Sequence, residues 1–186
     1  VAYAMEWVEG SSLADLLAAQ RAAGRATLEV AAQRLGTECA SLEAPSWTLF
    51  VCATGIGIAR ALAAVHAAGL LHRDVKPSNV LLRRDGTPLL SDFGLVRDEE
   101  SSLHTRTGHY VGTPAYSSPE QLRGASERIG PPSDVYSLGA ALYEALTLHL
   151  PHSGRSLAEI LARAESGPGV SLRKRDEALP RDLDTV

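Results

Sequence analysis

The chain has 186 residues, 45% hydrophobic and 22% charged, with a formal net charge of -4. That length suits one domain with a sizeable core, and the balance is that of an ordinary globular protein. No global positive field argues for nucleic acid or an anionic membrane, so neither is an expected partner of this segment. The one dense basic cluster, Arg173-Lys174-Arg175, is followed at once by Asp176 and Glu177 and reads as a solvated surface turn. Cys39 and Cys52 form no C-x-x-C pair and have no His at metal spacing, so reduced thiols are expected. There is no signal-peptide pattern, and the longest apolar stretch, Leu49 to Leu71, is broken by Arg60 and His66. A cytoplasmic segment without membrane contact is the resulting expectation, with an anchor elsewhere in a longer chain left open.

In chain order, residues 1–8 read as a short apolar strand ending in a turn at Glu9-Gly10. Ser11 or Ser12 can cap a helix starting near Leu13, with Asp15 in its first turn and Leu13, Leu16 and Leu17 on one face. Residues 20–46 are Ala-rich and partly helical, interrupted by Gly24, Gly36 and Pro45, and read as an insertion. A long helix is predicted over Trp47–Ala68, closed by Gly69, with Ile58, Ala61, Leu62 and Val65 as its apolar stripe and Gly55 and Gly57 weakening its first turns. Short apolar runs at 70–71, 80–82 and 88–90 follow, the last two joined by Arg84-Asp85-Gly86-Thr87, a hairpin signal. Residues 98–110 are polar and read as a long exposed loop. A helix over Ser133–Leu148, capped by Ser133 and apolar through Val135, Leu138, Leu142 and Leu146, precedes a weaker one over Leu157–Glu165. The fold class expected is mainly α with short β-hairpins on one face.

The residues that carry chemistry cluster in the middle of the chain. His72-Arg73-Asp74-Val75-Lys76-Pro77-Ser78-Asn79 follows the long helix and precedes the hairpin, and Asp92-Phe93-Gly94 comes directly after it. A lone Asp-Phe-Gly is a common turn and a lone His-Arg-Asp can be a surface ion pair; their order and spacing around a hairpin make the signal strong. The hairpin folds the chain back between Asn79 and Asp92.

This arrangement resembles the catalytic loop and metal-binding turn of the protein kinases, H-R-D-x-x-x-x-N and D-F-G. Gly112-Thr113-Pro114-Ala115-Tyr116-Ser117-Ser118-Pro119-Glu120 resembles the family's substrate-docking segment, with Ser118 in place of Ala. Asp134-Val135-Tyr136-Ser137-Leu138-Gly139 resembles its buried D-x-W-x-x-G helix start, with Tyr136 in place of Trp. The resemblance implies the C-terminal lobe of the α+β protein-kinase fold over residues 11–186, with residues 1–10 as the hinge from a lobe not in this sequence, and the last helices beyond Val186.

It implies ATP with Mg²⁺ (Mn²⁺ as a substitute) as cofactors and Ser/Thr hydroxyls of proteins as acceptors. The roles it assigns are a proton acceptor in Asp74, a phosphate contact in Lys76, metal ligands in Asn79 and Asp92, and a bridge between Asp74 and Lys76 in Thr113. Met5, Glu6 and Val8 would border the adenine, Leu81 would lie beneath it, and Ser12 would face the ribose. His72, Phe93, Gly94, Glu120 and Asp134 take structural roles. Thr105 and Thr107 resemble activation-loop phosphorylation sites whose phosphate would pair with Arg73; a homodimer phosphorylating itself in trans is a further implication. Two alternatives stay open: a small-molecule phosphotransferase of related fold, against which the docking segment argues, and a non-catalytic pseudokinase or scaffold, against which the intact Asp74, Lys76, Asn79 and Asp92 argue. The 186 residues alone are expected to be inactive, because no glycine-rich loop, strand Lys or helix Glu for the α- and β-phosphates is among them. A bacterial source is the further expectation.

Overall fold

The computed structural model describes residues 7–24, 26–42, 44–92, 114–167 and 169–185. The expectations placed on Met5, Glu6, Phe93, Gly94, Thr105, Thr107, Thr113 and the loop 98–110 lie outside the described residues.

A three-stranded antiparallel sheet runs β1 (Gly10–Ser12), β2 (Val80–Arg83), β3 (Pro88–Leu90), with Gly10 opposite Arg83, Ser12 opposite Leu81, and Val80 opposite Leu90. Trp7 to Glu9 form no strand. The strand instead begins where a turn was expected, because Gly10 lies against the backbone of β2: a Cβ there would sit 1.8 Å from the Leu82 carbonyl oxygen.

Helix α1 (Leu13–Ala22) starts from Ser12, whose side chain accepts from the Asp15 N–H while the Asp15 carboxylate accepts back, a reciprocal cap. The expected insertion contains a second helix, α2 (Leu28–Leu35), set between Thr27 as N-cap and Gly36 in the left-handed conformation at its C-terminal end. Its buried Ala31, Ala32 and Leu35 belong to the same core as Leu13, Leu16 and Leu17 of α1. Gln20 is fully buried there, its amide donating to the Thr27 carbonyl at 2.8 Å and accepting from the Thr27 N–H at 2.9 Å.

Helix α3 (Trp47–Ala67), capped by Ser46, is long and apolar enough to cross a membrane by length and composition alone. Here one face of it is packed as a core helix: Trp47, Phe50, Val51, Ile58 and Leu62 are buried, while Ala61 and Val65 are only partly so. Its glycines serve close contact: a Cβ on Gly55 would lie 2.8 Å from Leu142 Cδ1, and one on Gly57 would lie 2.4 Å from Pro88 Cγ. Burying each large apolar side chain of this layer contributes about 1.5–3 kcal/mol.

A short α4 (Pro119–Leu122) leads to α5 (Pro131–Thr147), which crosses α3; Trp47 Nε1 donates to the Ala145 carbonyl at 2.8 Å. α5 starts two residues before the expected Ser133, because Pro131 and Pro132 supply the fixed φ that suits a first turn. Its buried face runs through Leu138, Ala141, Ala145 and Leu146, and Val135, expected on the apolar stripe, is 61% exposed. Helices α6 (Leu157–Glu165) and α7 (Leu172–Arg175) complete the described elements.

Candidate active site

The loop after α3 is held by one buried carboxylate. Asp134, in the first turn of α5, accepts from the backbone N–H of His72 at 3.0 Å and of Arg73 at 2.7 Å, and its Oδ2 lies 2.7 Å from His66 Nε2. Gln121 of α4 adds a bond from its amide to the Arg73 carbonyl at 2.8 Å. These contacts hold Arg73 at φ 65, a left-handed conformation that a non-glycine residue adopts at a cost of about 1–3 kcal/mol unless its surroundings impose it.

His72 is fully buried. Its Nδ1 accepts from the Asp74 N–H at 3.3 Å, and its Nε2 lies 2.9 Å from the Ser91 carbonyl. A carbonyl can only accept, so the ring carries its proton on Nε2. The imidazole thereby ties the loop to the residue before Asp92.

Asp74, Lys76 and Asn79 come together. Asp74 Oδ2 accepts from Lys76 Nζ at 2.8 Å and from Asn79 Nδ2 at 3.2 Å, while Asn79 Nδ2 also donates to the Asp74 carbonyl at 2.8 Å. Two acceptors on Nδ2 fix the amide orientation, so Asn79 Oδ1 turns toward Ser78, whose hydroxyl donates to it at 3.2 Å. Ser91 closes the arrangement: its N–H and its hydroxyl both donate to the Asn79 carbonyl, at 2.9 and 3.2 Å. Asp92 follows directly, exposed and at φ 54. The two non-glycine left-handed residues of this region, Arg73 and Asp92, thus flank the cluster.

Among the described residues no group of three or more His, Cys, Asp or Glu could hold a metal ion by itself. The donors here are an amide oxygen with a lone pair to spare and an adjacent exposed carboxylate. That set fits Mg²⁺, which takes few protein oxygens and completes its shell with water and phosphate oxygens.

The other predicted residues fall into three places. Ser12 and Leu81 face each other across β1 and β2. Val8 instead lines a shallow hollow with Trp7, Glu9, Arg83, Arg84 and Asp85. Ser12 is engaged locally, its hydroxyl donating to Asp15 at 2.7 Å; that bond, first among several, holds the Asp15 carboxyl below its ordinary range. Glu120 accepts from Ser133 at 2.5 Å. Burial would raise its carboxyl, but hydrogen bonds from Ser133, its own backbone and Ser118, with Arg123 nearby, outweigh burial and hold it low. Ser133 is therefore a partner of Glu120 rather than the cap of α5.

His66, Ser91 and Gln121 were not singled out by sequence reasoning. His66 follows Ile58 and Leu62 at four-residue spacing, a polar group on the buried stripe of α3; Gln121 stands three residues after Ser118 in a capping-box pattern, Ser118 donating to it from both N–H and hydroxyl.

A helical lobe with a small hairpin sheet, and an Asp-Lys-Asn cluster beside Asp92, define a phosphotransferase-like C-terminal lobe. The sequence profile of the protein kinase domain matches residues 2–177, and the chain belongs to that family. It is 48% identical over 127 residues to the probable serine/threonine-protein kinase PkwA of Thermomonospora curvata, covering 68% of this chain and 16% of that protein. It is 47% identical over 132 residues to the serine/threonine-protein kinase PknK of Mycobacterium tuberculosis, covering 69% and 11%. With the serine/threonine-protein kinase PknL of the same species it shares 52% over 99 residues, covering 53% and 24%. The chain therefore spans between about a tenth and a quarter of the length of these relatives, all of them bacterial.

Proposed function

We propose that the protein carrying this lobe transfers the γ-phosphoryl group of ATP to Ser or Thr hydroxyls of other proteins. The observation that carries the reading is the hydrogen-bonded set Asp74, Lys76 and Asn79, joined through Ser91 to Asp92. Bacterial relatives named as serine/threonine-protein kinases support it. The family uses ATP with a divalent metal, which when bound neutralises phosphate charge and holds the triphosphate.

The chain's own residues then have separable tasks. Asp74 Oδ2 is already taken by Lys76 and Asn79, which leaves Oδ1 to accept the hydrogen bond of an incoming hydroxyl and then its proton. Lys76 brings a cation that needs only one of its three donors for Asp74, so the others serve a phosphate oxygen. Asn79 Oδ1 and the Asp92 carboxylate would hold the metal. Leu81 and Ser12, side by side on the sheet, would take adenine and ribose, with Met5, Glu6 and Val8 on the hinge side. Thr113 would bridge Asp74 and Lys76, and phosphate on Thr105 or Thr107 would pair with Arg73. The substrate protein, and self-phosphorylation between two copies, belong to the same proposal.

The test is to incubate the full-length protein with radiolabelled ATP and casein, wild type beside Asp74→Asn, and to identify the labelled amino acid. Label on phosphoserine or phosphothreonine, lost in Asp74→Asn, is expected. Transfer to small molecules only, or no transfer at all, overturns the reading. Residues 1–186 by themselves are expected to give no Asp74-dependent transfer in the same assay.

A further inference from the structure

The hairpin that separates Asn79 from Asp92 is held at its turn by a segment to which the phosphotransfer chemistry gives no task. Between α1 and α3 the chain makes a helical turn, Cys39–Leu42, and Leu42 is 4% exposed. Leu42 and Phe50 of α3 both lie against Gly86, the φ 84 residue of the Asp85-Gly86 turn. A Cβ on Gly86 would sit 2.9 Å from Phe50 Cε2 and 3.3 Å from Leu42 Cδ2, so the two side chains rest on the turn itself. The platform behind them is fixed. Phe50 stacks on Trp47 with ring centroids 5.6 Å apart, and Trp47 is bonded to the Ala145 carbonyl of α5. α5 is secured at that point through Glu144, whose side chain is 6% exposed; it pairs with Arg21 of α1 and accepts from the Tyr116 hydroxyl.

The other end of the hairpin carries the site. Asn79 directly precedes β2, and Asp92 follows β3 after Ser91. The ladder between them is short, running from Val80 opposite Leu90 to Leu82 opposite Pro88, and β3 lies at the edge of the sheet. So short a hairpin is marginal in water and takes its geometry from what it packs on. The turn is stiff: the Gly86 N–H donates to the Arg83 carbonyl at 2.9 Å, and the Thr87 N–H to Asp85 Oδ1 at 2.9 Å. A displacement at Gly86 is therefore passed along the strands rather than absorbed. The Asn79 side chain is bonded to Asp74, outside the hairpin, whereas Asp92 takes its place from β3 through Ser91. Tilting the hairpin thus shifts Asp92 relative to Asn79.

We propose that Leu42 and Gly86 are positioning residues for the metal: by holding the hairpin turn they set how Asp92 stands to Asn79 Oδ1, touching neither metal nor nucleotide. The proposal rests on the assignment of Asn79 and Asp92 as metal ligands, and the test separates the two. In the full-length protein with a non-hydrolysable ATP analogue, electron paramagnetic resonance reads Mn²⁺ binding directly. Fluorescence titration with the same analogue in EDTA reads the nucleotide site without metal. Leu42→Ala is expected to weaken Mn²⁺ binding about five- to tenfold and to change metal-free nucleotide affinity by less than about twofold, since support from behind a ligand acts on the metal. Leu42→Met keeps the volume and should stay within about twofold of wild type in both titrations. Gly86→Ala, strained at that φ and pressed against Phe50, should weaken Mn²⁺ in the same direction as Leu42→Ala. Thermal unfolding checks that each variant is folded; should Leu42→Ala not fold, Leu42→Val, a smaller deletion, takes its place with a weakening of about two- to fivefold. Unchanged Mn²⁺ affinity in the folded variant, or equal losses with and without metal, overturns the proposal. A wild type whose Mn²⁺ binding is absent, or unaffected by Asp92→Asn, overturns the metal assignment and this proposal with it.

Discussion

Two carboxylates, Asp74 and Asp134, are held in opposite ways. Asp134 is 1% exposed and is bonded to two backbone N–H groups and an imidazole. Asp74 has its side chain 37% exposed and its carboxylate is bonded to two other side chains, Lys76 and Asn79. Backbone donors cannot move without moving the fold, so Asp134 defines a fixed frame. Side-chain donors can re-pair, so in the proposed reaction Asp74 would exchange partners as a substrate arrives. A carboxylate meant to change its protonation must remain within reach of solvent and of new donors; one meant to hold a loop must not.

Breaking the first member of the pair should have the largest effect, and it should be on rate. Asp74→Asn is expected to cut phosphotransfer by about 10²–10⁴-fold, the usual size of a proton-transfer contribution. Its unfolding free energy in urea should change by less than about 1 kcal/mol, since a pair this exposed adds little stability. Breaking the second should act mainly on stability. Asp134→Ala leaves the N–H groups of His72 and Arg73 without their acceptor, and a loss of about 2–5 kcal/mol in urea unfolding is expected. Equal effects of the two substitutions on both measurements would erase the distinction.

His66→Phe sharpens it further. The substitution removes one of three bonds to Asp134 and leaves both backbone bonds, so a loss of about 1–2 kcal/mol is expected, with the fall in turnover smaller than for Asp74→Asn.

The smallest effect concerns pH. His152 is buried beside Arg163, and burial first, then that guanidinium, lowers its pKa below the ordinary 6.5. The neutral ring is thus favoured in the folded state. Its contribution is fully present above the unfolded value and is lost as pH falls from 6.5 through the lower folded value. Melting curves of His152→Phe should lose that part of the acid limb and keep the rest. A full acid limb in the variant would show that burial without strong partners matters less here than supposed.

Much of this was legible in the sequence where the signal is local. The spacing His72 to Asn79, the Asp-Gly turn at 85–86 and the helix over 157–165 are short-range patterns, and the structure contains the loop, the hairpin and α6 at those positions. The roles of the site residues are proposals that these positions support. Long-range pairings were not legible. Val135 looked apolar on a helical stripe, yet which face of α5 is buried depends on α3, whose Gly55 lets Leu142 approach. Helix α2 is eight residues long, too short to stand on propensity, and Gln20, whose partner Thr27 lies across a glycine turn, gave no pattern to read. Arg21, Tyr116 and Glu144 meet only because α1, α4's approach and α5 are brought together by the core.

The contact of Arg21 with Glu144 spans 123 residues. On a ribosome adding about 5–20 residues per second, the guanidinium is made first and waits roughly 6–25 s, hydrated, for its acid to be synthesised. The costly member of the pair, the one destined for the interior, is born last. It can be enclosed with its counter-charge already at hand, so the growing chain never has to shelter a solitary anion.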